Sequence, residues 1–287
     1  MWLVLCLIAT ILSGFIEIIE KKGSKEQPIR YIIWGLLFYN IYNLIVALCY
    51  DVSYINNFNL LNCLKVFPFC LFTSIGYYCS VNALANGDVS RVAPIMKSKT
   101  ILVLVLSVLL LNETISLFQV LLIFIILILN ILLTNQKVDK RRKNNAKGIL
   151  FAVGFLIFNG LGAFLNKVYV MAFSSPIEIS FYTGIVEIIF ILLVLTFTKK
   201  LDYLNIKKFK NIKIVLGIEV LESIIIILYR FSLVTGNLSI ITTITSCSII
   251  ITVIISTIVF KEKISFKKWL IILALVACIA ILSVLSL

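Results

Sequence analysis

Histidine is absent from this 287-residue chain, and the absence restricts the chemistry that the protein can perform. Zinc sites are built mainly from histidine and cysteine, and the seven cysteines form no CxxC pair, so we expect no metal centre and no cofactor. Histidine is also the usual proton carrier near neutral pH. Any coupling of the protein's activity to protons therefore has to use carboxylates.

Acidic residues are scarce as well, with 13 Asp and Glu against 26 Lys and Arg. The aspartates all lie in connections between apolar segments, at Asp51, Asp88, Asp139 and Asp202. Without an Asp pair or a metal-ligand cluster inside an apolar segment, an integral-membrane enzyme is disfavoured. A membrane scaffold or partner subunit without transport of its own stays open. It predicts that every polar side chain within the bilayer is paired.

Long apolar segments are what the sequence has in abundance. Hydrophobic residues make up 61% of the chain and the mean hydropathy is +1.13, well above a soluble domain. We predict an all-α membrane protein with ten transmembrane helices of about 20 residues each. The predicted spans are 2–19, 31–50, 63–85, 91–111, 118–135, 148–171, 177–198, 212–234, 239–260 and 267–286. The first lacks a basic leader and a small-residue cleavage site, so we interpret it as a span and not as a signal peptide.

The positive charge is distributed asymmetrically along the chain. Twenty-one of the 26 Lys and Arg residues fall in alternate connections, at 20–30, 86–91, 136–147, 199–213 and 261–268. The other connections contain only Lys65. Loops rich in Lys and Arg are typical of the cytoplasmic side of a membrane protein. We therefore expect a multi-pass protein of the cytoplasmic membrane with both termini outside. No interleaved base-stacking aromatics accompany the charge, so nucleic acid is not an expected partner.

The second half of the chain repeats the first at a shift of 149 residues. Gly87 falls on Gly236, Ser107 falls on Ser256, and residues 113–116 fall on residues 262–265. Each half has five predicted spans, and an odd number reverses the orientation of the second half in the bilayer. The sequence predicts two inverted five-helix repeats, 1–135 and 148–287, joined by a basic linker at 136–147. Such repeats recur in secondary transporters, with the substrate between them.

A family resemblance rests on residues 83–119, "ALANGDVSRVAPIMKSKTILVLVLSVLLLNETISLFQ". This segment resembles the EamA repeat, in which a small residue and Gly precede a short turn, a helix opens with "s-x-v-a-P", and the helix ends in Glu. Residues 232–265 form a second copy in which Thr243 replaces the proline. The resemblance implies a transporter of the drug/metabolite transporter superfamily that moves a small molecule, with export as the implied direction. It does not identify the substrate.

The repeated motif residues have structural interpretations. Gly87 and Gly236 lie in very short connections, so we expect them to adopt positive φ. Pro94 is expected in the first turn of its helix, where the missing N–H costs little. Glu113 and Glu262 precede the last helix of each half, where a carboxylate suits the positive end of the helix dipole. A contribution to transport is the alternative for both glutamates. Residues 116–119 form a predicted capping box.

Ionisable residues within the predicted spans are the best pointers to a functional site, because inserting a charge costs about 2.5–3.5 kcal/mol on translocon scales. Glu187 lies near the centre of span 7, and Glu222 and Arg230 are two helical turns apart in span 8. Glu219 is close enough to the interface to reach it, and Lys97 could likewise extend toward the interface. Glu187 and Glu222 either line a wet cavity or pair with a partner such as Arg230.

Other polar and aromatic residues of the spans could line the same cavity. They are Asn40, Tyr42, Asn43, Tyr78, Asn82, Asn159, Tyr182 and Tyr229. Hydrogen bonding between helices is the alternative for each. The sequence as a whole predicts a transporter for a small-molecule substrate, embedded in the lipid bilayer and coupled to protons or to a counter-substrate.

Overall fold

The computed structural model of the protein describes residues 1–23, 27–87, 89–134, 146–260 and 265–286, and these residues form α-helices with short connections. The helices of the first half are α1 (Trp2–Gly23), α2 (Pro28–Tyr50), α3 (Ser53–Asn56), α4 (Leu60–Asn86), α5 (Val89–Lys97), α6 (Lys99–Leu110) and α7 (Leu117–Thr134). Those of the second half are α8 (Ala146–Ala172), α9 (Pro176–Phe197), α10 (Ile212–Thr235), α11 (Leu238–Ser246), α12 (Ser248–Phe260) and α13 (Phe266–Val284). Two short 3₁₀ turns, Leu201–Leu204 and Ile206–Lys208, join α9 to α10.

Local sequence accounts for several helix starts. The Asn59 side chain accepts the backbone N–H of Leu61 at 2.9 Å at the start of α4. Ser175 does the same for Ile177 at the start of α9, where Pro176 occupies the first helical position. Side-chain oxygens at these positions satisfy amides that have no partner inside the helix. Because a single residue caps each of these helices, a helix can begin soon after the previous one ends. The short connections agree with the close spacing of apolar segments in the sequence.

The helices confirm a multi-pass membrane protein. Seven segments of the described chain are long and apolar enough to cross a bilayer, at Pro28–Tyr50, Leu60–Asn86, Val92–Leu110, Ala146–Ala172, Pro176–Phe197, Leu238–Ile255 and Phe266–Val284. Shorter apolar helical segments occur at Trp2–Ile16 and Leu117–Leu133. The remaining predicted span, 212–234, corresponds to α10, which contains the charged residues discussed below.

Predicted spans 4 and 9 are each divided into two helices. The break lies at Ser98 in the first half and at Cys247 in the second, positions that are 149 residues apart. In the first half Pro94 lies in the second turn of α5, not in its first turn as we predicted, and it interrupts the helical hydrogen bonds. In the second half the hydroxyls of Thr243 and Ser246 donate to backbone carbonyls of the same helix, which bends helices.

The two halves pack as equivalent units. In the repeat, α1 corresponds to α8, α2 to α9, and α4 to α10. The helix α4 of the first half packs extensively against α8 of the second half. In the equivalent contact, α10 of the second half packs extensively against α1 of the first half. The equivalent helices α2 and α9 run antiparallel, since Leu44 lies against Gly184 while Asn40 lies against Glu187. This equivalent pair thus points in opposite directions, as inverted repeats require.

Both motif glycines allow close packing, and the prediction of positive φ was wrong. Gly87 has φ −119° and Gly236 has φ −98°, both extended values. A Cβ built on Gly148 at the start of α8 would lie 2.6 Å from Gly87 Cα. A Cβ on Gly236 would lie 2.9 Å from the Trp2 ring at the start of α1. Each glycine therefore lets the short turn contact the first helix of the other repeat.

Glu113 does not cap the helix that follows it in the sequence. Its Oε1 accepts the backbone N–H of Leu238 at 2.6 Å, and its Oε2 accepts the Ser239 hydroxyl at 3.2 Å. The carboxylate thus caps α11 of the second repeat, so our assignment of Glu113 to α7 was wrong. Its repeat partner Glu262 lies outside the described residues.

The start of α7 is stabilised by the predicted capping box. Ser116 Oγ accepts the backbone N–H of Gln119 at 3.2 Å, and Gln119 Oε1 accepts the backbone N–H of Ser116 at 2.9 Å. Gln119 Nε2 also donates to the Leu285 carbonyl just after α13, at 3.0 Å. The start of α7 therefore lies beside the end of α13, its equivalent in the second repeat.

Basic connections that are distant in sequence meet at one end of the molecule. Arg30 donates to Asp202 at 3.1 Å, and Lys208 donates to the same carboxylate at 2.7 Å. The bond from Lys208 and the charge of Arg30 hold the pKa of Asp202 below its ordinary value. The basic linker predicted at 136–147 lies outside the described residues except for its last two, which begin α8.

Candidate functional site

Glu187 is a buried carboxylate held by neutral donors from two other helices. Its side chain on α9 is 3% exposed. Asn40 on α2 donates to Oε2 at 2.6 Å, and Thr73 on α4 donates to Oε1 at 2.7 Å. Two donors leave part of the carboxylate's hydrogen-bonding capacity unused, because its oxygens offer about four lone-pair sites.

Arg230 is a buried guanidinium on α10 and is 1% exposed. Its Nε donates to Asn166 on α8 at 3.1 Å, and its Nη1 donates to Ser180 on α9 at 2.5 Å. The guanidinium carbon lies 5.8 Å from the centre of the Phe69 ring, a favourable position for a cation. These partners come from three other helices and are all uncharged, so the protein positions this cation without neutralising it.

The two buried charges belong to one site but do not form an ion pair. Glu187 and Arg230 interact electrostatically, yet among the described contacts of either side chain no ion pair joins them. The hydroxyl of Tyr39 on α2 interacts with both charges and also with Glu222. Asn43, one turn further along α2, is fully buried beside that hydroxyl, and neither of its amide atoms has a partner of good hydrogen-bond geometry.

Glu222 and Glu219 lie on the same helix as Arg230 but closer to its start. Glu222 is partly buried and lies two helical turns before Arg230. Arg230 hydrogen-bonds other groups, so the pairing with Glu222 that we considered is not formed in the described structure. Glu219 is 3% exposed and lies against Gly35, where a Cβ would be 2.8 Å from its Oε1.

Three of the predicted lining residues lie elsewhere. Tyr78 is 45% exposed and packs edge-on against Phe151. Asn82 donates to the Tyr78 carbonyl in its own helix at 2.8 Å. Tyr182 is buried, but its hydroxyl contacts the loop before α4, donating to the Asn57 carbonyl at 3.4 Å. In these contacts the three side chains contribute to packing and loop anchoring.

Two further predicted residues, Asn159 and Lys97, join helices through hydrogen bonds. Lys99 Nζ donates to Asn159 Oδ1 at 2.5 Å, linking α6 to α8. Lys97 Nζ donates to Ser248 Oγ at 3.1 Å. Because Lys97 precedes the break in span 4 and Ser248 follows the break in span 9, the two broken helices meet at this bond. Lys97 therefore connects the two repeats at their broken helices.

Sequence reasoning missed the neutral partners that hold the two charges. Thr73, Asn166 and Ser180 are small polar residues in otherwise apolar spans, where hydroxyls commonly bond to their own helix backbone. Their selection depends on which helices meet, which no local pattern reveals. The sequence did contain one indication of Ser180: it lies seven residues before Glu187, so both residues lie on one face of α9.

Comparisons with known proteins agree with this architecture. The model of the EamA-like transporter family matches residues 1–135 and 146–284, one match for each repeat. No curated protein matches the sequence. Among solved structures, 27 chains match. One of them, a crystal structure of another protein, has 11% sequence identity and a TM-score of 0.72, covering 99% of this chain and 97% of its own. That likeness shows the fold alone, whereas the family match covers both halves. The chain therefore belongs to the EamA-like transporter family.

Proposed function

We propose that the protein is a secondary transporter that exports a small metabolite across the cytoplasmic membrane by alternating access. In this proposal ten spans form two inverted five-helix repeats, and the substrate binds between them. The family match supports transport in general. The direction of export rests on family resemblance.

The observation that carries the proposal is the pair of buried charges between the repeats. Glu187 is 3% exposed and Arg230 is 1% exposed, and neutral partners hold each of them without an ion pair between the two. Charges in the membrane interior are costly and are retained where they bind a substrate or an ion. Glu187, Arg230 and Glu222 are the residues that we assign to this site.

The broken helices support alternating access. Spans 4 and 9 are interrupted at equivalent positions, and Lys97 and Ser248 join the two breaks. Discontinuous helices recur at the centre of transporters, where they line the substrate pathway. Residues in the breaks are suited to absorb the backbone rotation of a switch between inward-open and outward-open states.

Contacts between connections support a topology with both termini outside. Arg30 and Asp202 meet, and both come from connections that the charge bias assigns to the cytoplasm. Gln119 contacts Leu285, and Trp2 contacts Gly236, so both ends of the chain lie beside connections assigned to the outside. Among the described residues, no contact named above joins a connection assigned to the cytoplasm to a connection assigned to the outside.

A membrane scaffold without transport is the second candidate, and the buried site disfavours it. A scaffold predicts that each polar group in the membrane has a partner. Glu187 and Arg230 are buried charges, and no described contact gives either of them an oppositely charged partner, as is expected of groups that bind a ligand. Coupling to protons or to a counter-substrate would use the carboxylates of Glu187 and Glu222.

The proposal is tested by uptake into liposomes that contain the purified protein. A library of small metabolites is applied outside, and accumulation is compared with protein-free liposomes. Accumulation of at least one compound, saturable and dependent on the protein, supports a transporter. A stable, folded protein that moves no compound across the whole library would contradict it.

A further inference from the structure

We propose that the connection between α9 and α10, residues 199–213, binds the headgroups of anionic phospholipids at the cytoplasmic face of the membrane. This surface includes neither Glu187 nor Arg230, and its placement at the cytoplasmic face rests on the topology proposed above. Three properties of the connection point to a lipid surface. It has a fixed structure, it combines lysines with exposed apolar side chains, and the equivalent connection of the first repeat has no cations.

The connection is folded against the start of α2. The Arg30 side chain on α2 is mostly buried, and it donates to Asp202 and to the Asn205 carbonyl at 3.1 Å each. Its guanidinium carbon lies 5.3 Å from the centre of the Tyr203 ring, a favourable position for a cation. Phe209 is buried among residues of α2 and α10. These contacts hold the backbone in place, so the exposed side chains have defined positions.

The exposed side of the connection carries a strong positive charge. Six lysines and one aspartate lie within residues 199–213. Each carboxylate oxygen of Asp202 already accepts a bond, one from Arg30 at 3.1 Å and one from Lys208 at 2.7 Å. The other lysines of the connection are exposed, and they are Lys199, Lys200, Lys207, Lys210 and Lys213. A basic surface of this kind attracts the anionic headgroups of a membrane leaflet.

Apolar side chains are exposed among these lysines. Leu201 is 50% exposed and Ile206 is 48% exposed, whereas Leu204 between them packs against α2 and α9. Segments that lie in a membrane interface combine lysines with apolar side chains, which enter the boundary between headgroups and acyl chains. Lysine side chains then extend their ammonium groups to the headgroups. A lipid surface therefore accounts for both the charged and the apolar residues of the connection.

The equivalent connection of the first repeat provides a comparison within the chain. It covers residues 51–59, between α2 and α4, and it folds into the short helix α3. It also exposes apolar side chains, with Val52 64% exposed and Ile55 54% exposed. It contains neither lysine nor arginine. Both connections suit a membrane interface, but only the connection between α9 and α10 has the charge that binds anionic headgroups.

Thermal unfolding of the purified protein tests the lipid contact without any substrate. In detergent micelles, added phosphatidylglycerol should raise the wild-type Tm more than the same amount of phosphatidylcholine. The difference should shrink as the salt concentration rises, because salt screens exposed charges. Equal Tm values in the two lipids would overturn the proposal. An equal rise in Tm with inorganic phosphate would also overturn it, since that result would identify a site for a soluble anion.

Charge variants show whether the effect belongs to this connection. One variant combines four changes of exposed lysines that do not bond Asp202, namely Lys199→Gln, Lys200→Gln, Lys207→Gln and Lys210→Gln. It should lose more than half of the Tm difference between the two lipids. The matched control removes four lysines from the basic linker and the start of α8, namely Lys137→Gln, Lys140→Gln, Lys143→Gln and Lys147→Gln. The control should keep the difference, and an equal loss in both variants would overturn the assignment to residues 199–213.

The outcome is independent of the proposed transport function. If phosphatidylglycerol has no specific effect while the protein takes up a metabolite, the lipid surface falls and the transporter remains. If no compound moves while the four-lysine variant loses the lipid effect, the transporter falls and the lipid surface remains.

Discussion

Glu113 and Leu238 belong to different repeats, yet the Glu113 carboxylate accepts the Leu238 backbone N–H at 2.6 Å. The bond fixes the start of α11, the first half of a broken span, to the connection between α6 and α7. On the other side of the same turn, Lys167 Nζ donates to the Leu233 and Gly236 carbonyls at 2.5 and 3.0 Å. A cation at the end of α10 and an anion at the start of α11 together hold this turn, as the helix dipoles favour.

Removing the Glu113 carboxylate should destabilise the folded protein. Glu113→Ala loses the cap of a helix in the other repeat, at a cost of about 1–2 kcal/mol. Glu113→Gln keeps one acceptor oxygen for the Leu238 amide and should have an intermediate effect. Thermal unfolding in detergent measures both, with Tm in the order wild type, Gln, Ala. An Ala variant with wild-type Tm would show that this bond does not stabilise the fold.

Lys167 gives the complementary prediction at the end of α10. Lys167→Met keeps the length of the side chain but removes two charge-assisted bonds to carbonyls, and it should cost about 2 kcal/mol of stability. Lys65→Met is the control, because Lys65 is exposed and its bond to Asn62 is long, at 3.4 Å. The two variants are compared by thermal unfolding under identical conditions. Equal stability of the two would contradict a structural contribution of Lys167.

The contact between Gly87 and Gly148 predicts a specific sensitivity to added volume. In Gly148→Ala the new methyl group would lie 2.6 Å from Gly87 Cα, and overpacking of this kind costs about 1–3 kcal/mol. Gly217→Ala is the control in α10, since nothing lies within 4 Å of its Cβ position. That change should be neutral or stabilise the helix by about 1 kcal/mol. Folded yield and Tm are the measurements, and a tolerated Gly148→Ala would remove the close-packing explanation.

The proposed topology predicts that the C-terminus is outside. A reporter that is active only in the cytoplasm, fused after Leu287, should give no signal, because the basic connections hold the opposite end of the helices in the cytoplasm. The same reporter inserted at residue 140 in the basic linker should be active. A strong signal from the C-terminal fusion would overturn the orientation and leave the fold intact.

Much of the architecture follows from the sequence because it depends on composition and spacing. The apolar segments, the repeat at 149 residues and the capping box at Ser116 are local or periodic signals. The breaks at Ser98 and Cys247 were missed because a continuous apolar run does not reveal a one-residue interruption of the helix. Gly87 was explained by a turn with positive φ and its close packing was missed, because the sequence does not show which helix approaches a glycine.

The site was only partly predictable for the same reason. Glu187 and Arg230 are recognisable because charge is rare in apolar spans. Their partners Thr73, Asn166 and Ser180 come from three different helices, and they are selected by tertiary contacts. Glu222 is on the predicted helical face of Arg230, but it is not that residue's partner, because the guanidinium reaches toward α8 and α9.

Transport by Glu187→Gln is the measurement that tests the central claim most directly. The change should preserve folding, because the Gln oxygen can still accept from Asn40 Nδ2 while the Gln amide donates to the Thr73 hydroxyl, whose own proton can go to the Phe69 carbonyl. Uptake of a compound that the wild type transports should fall at least tenfold, equivalent to about 1.4 kcal/mol. The control Glu178→Gln changes a carboxylate whose partner Ser174 lies in the exposed loop before α9, and it should transport normally. Wild-type uptake by folded Glu187→Gln protein would contradict the assignment of this carboxylate to the transport site.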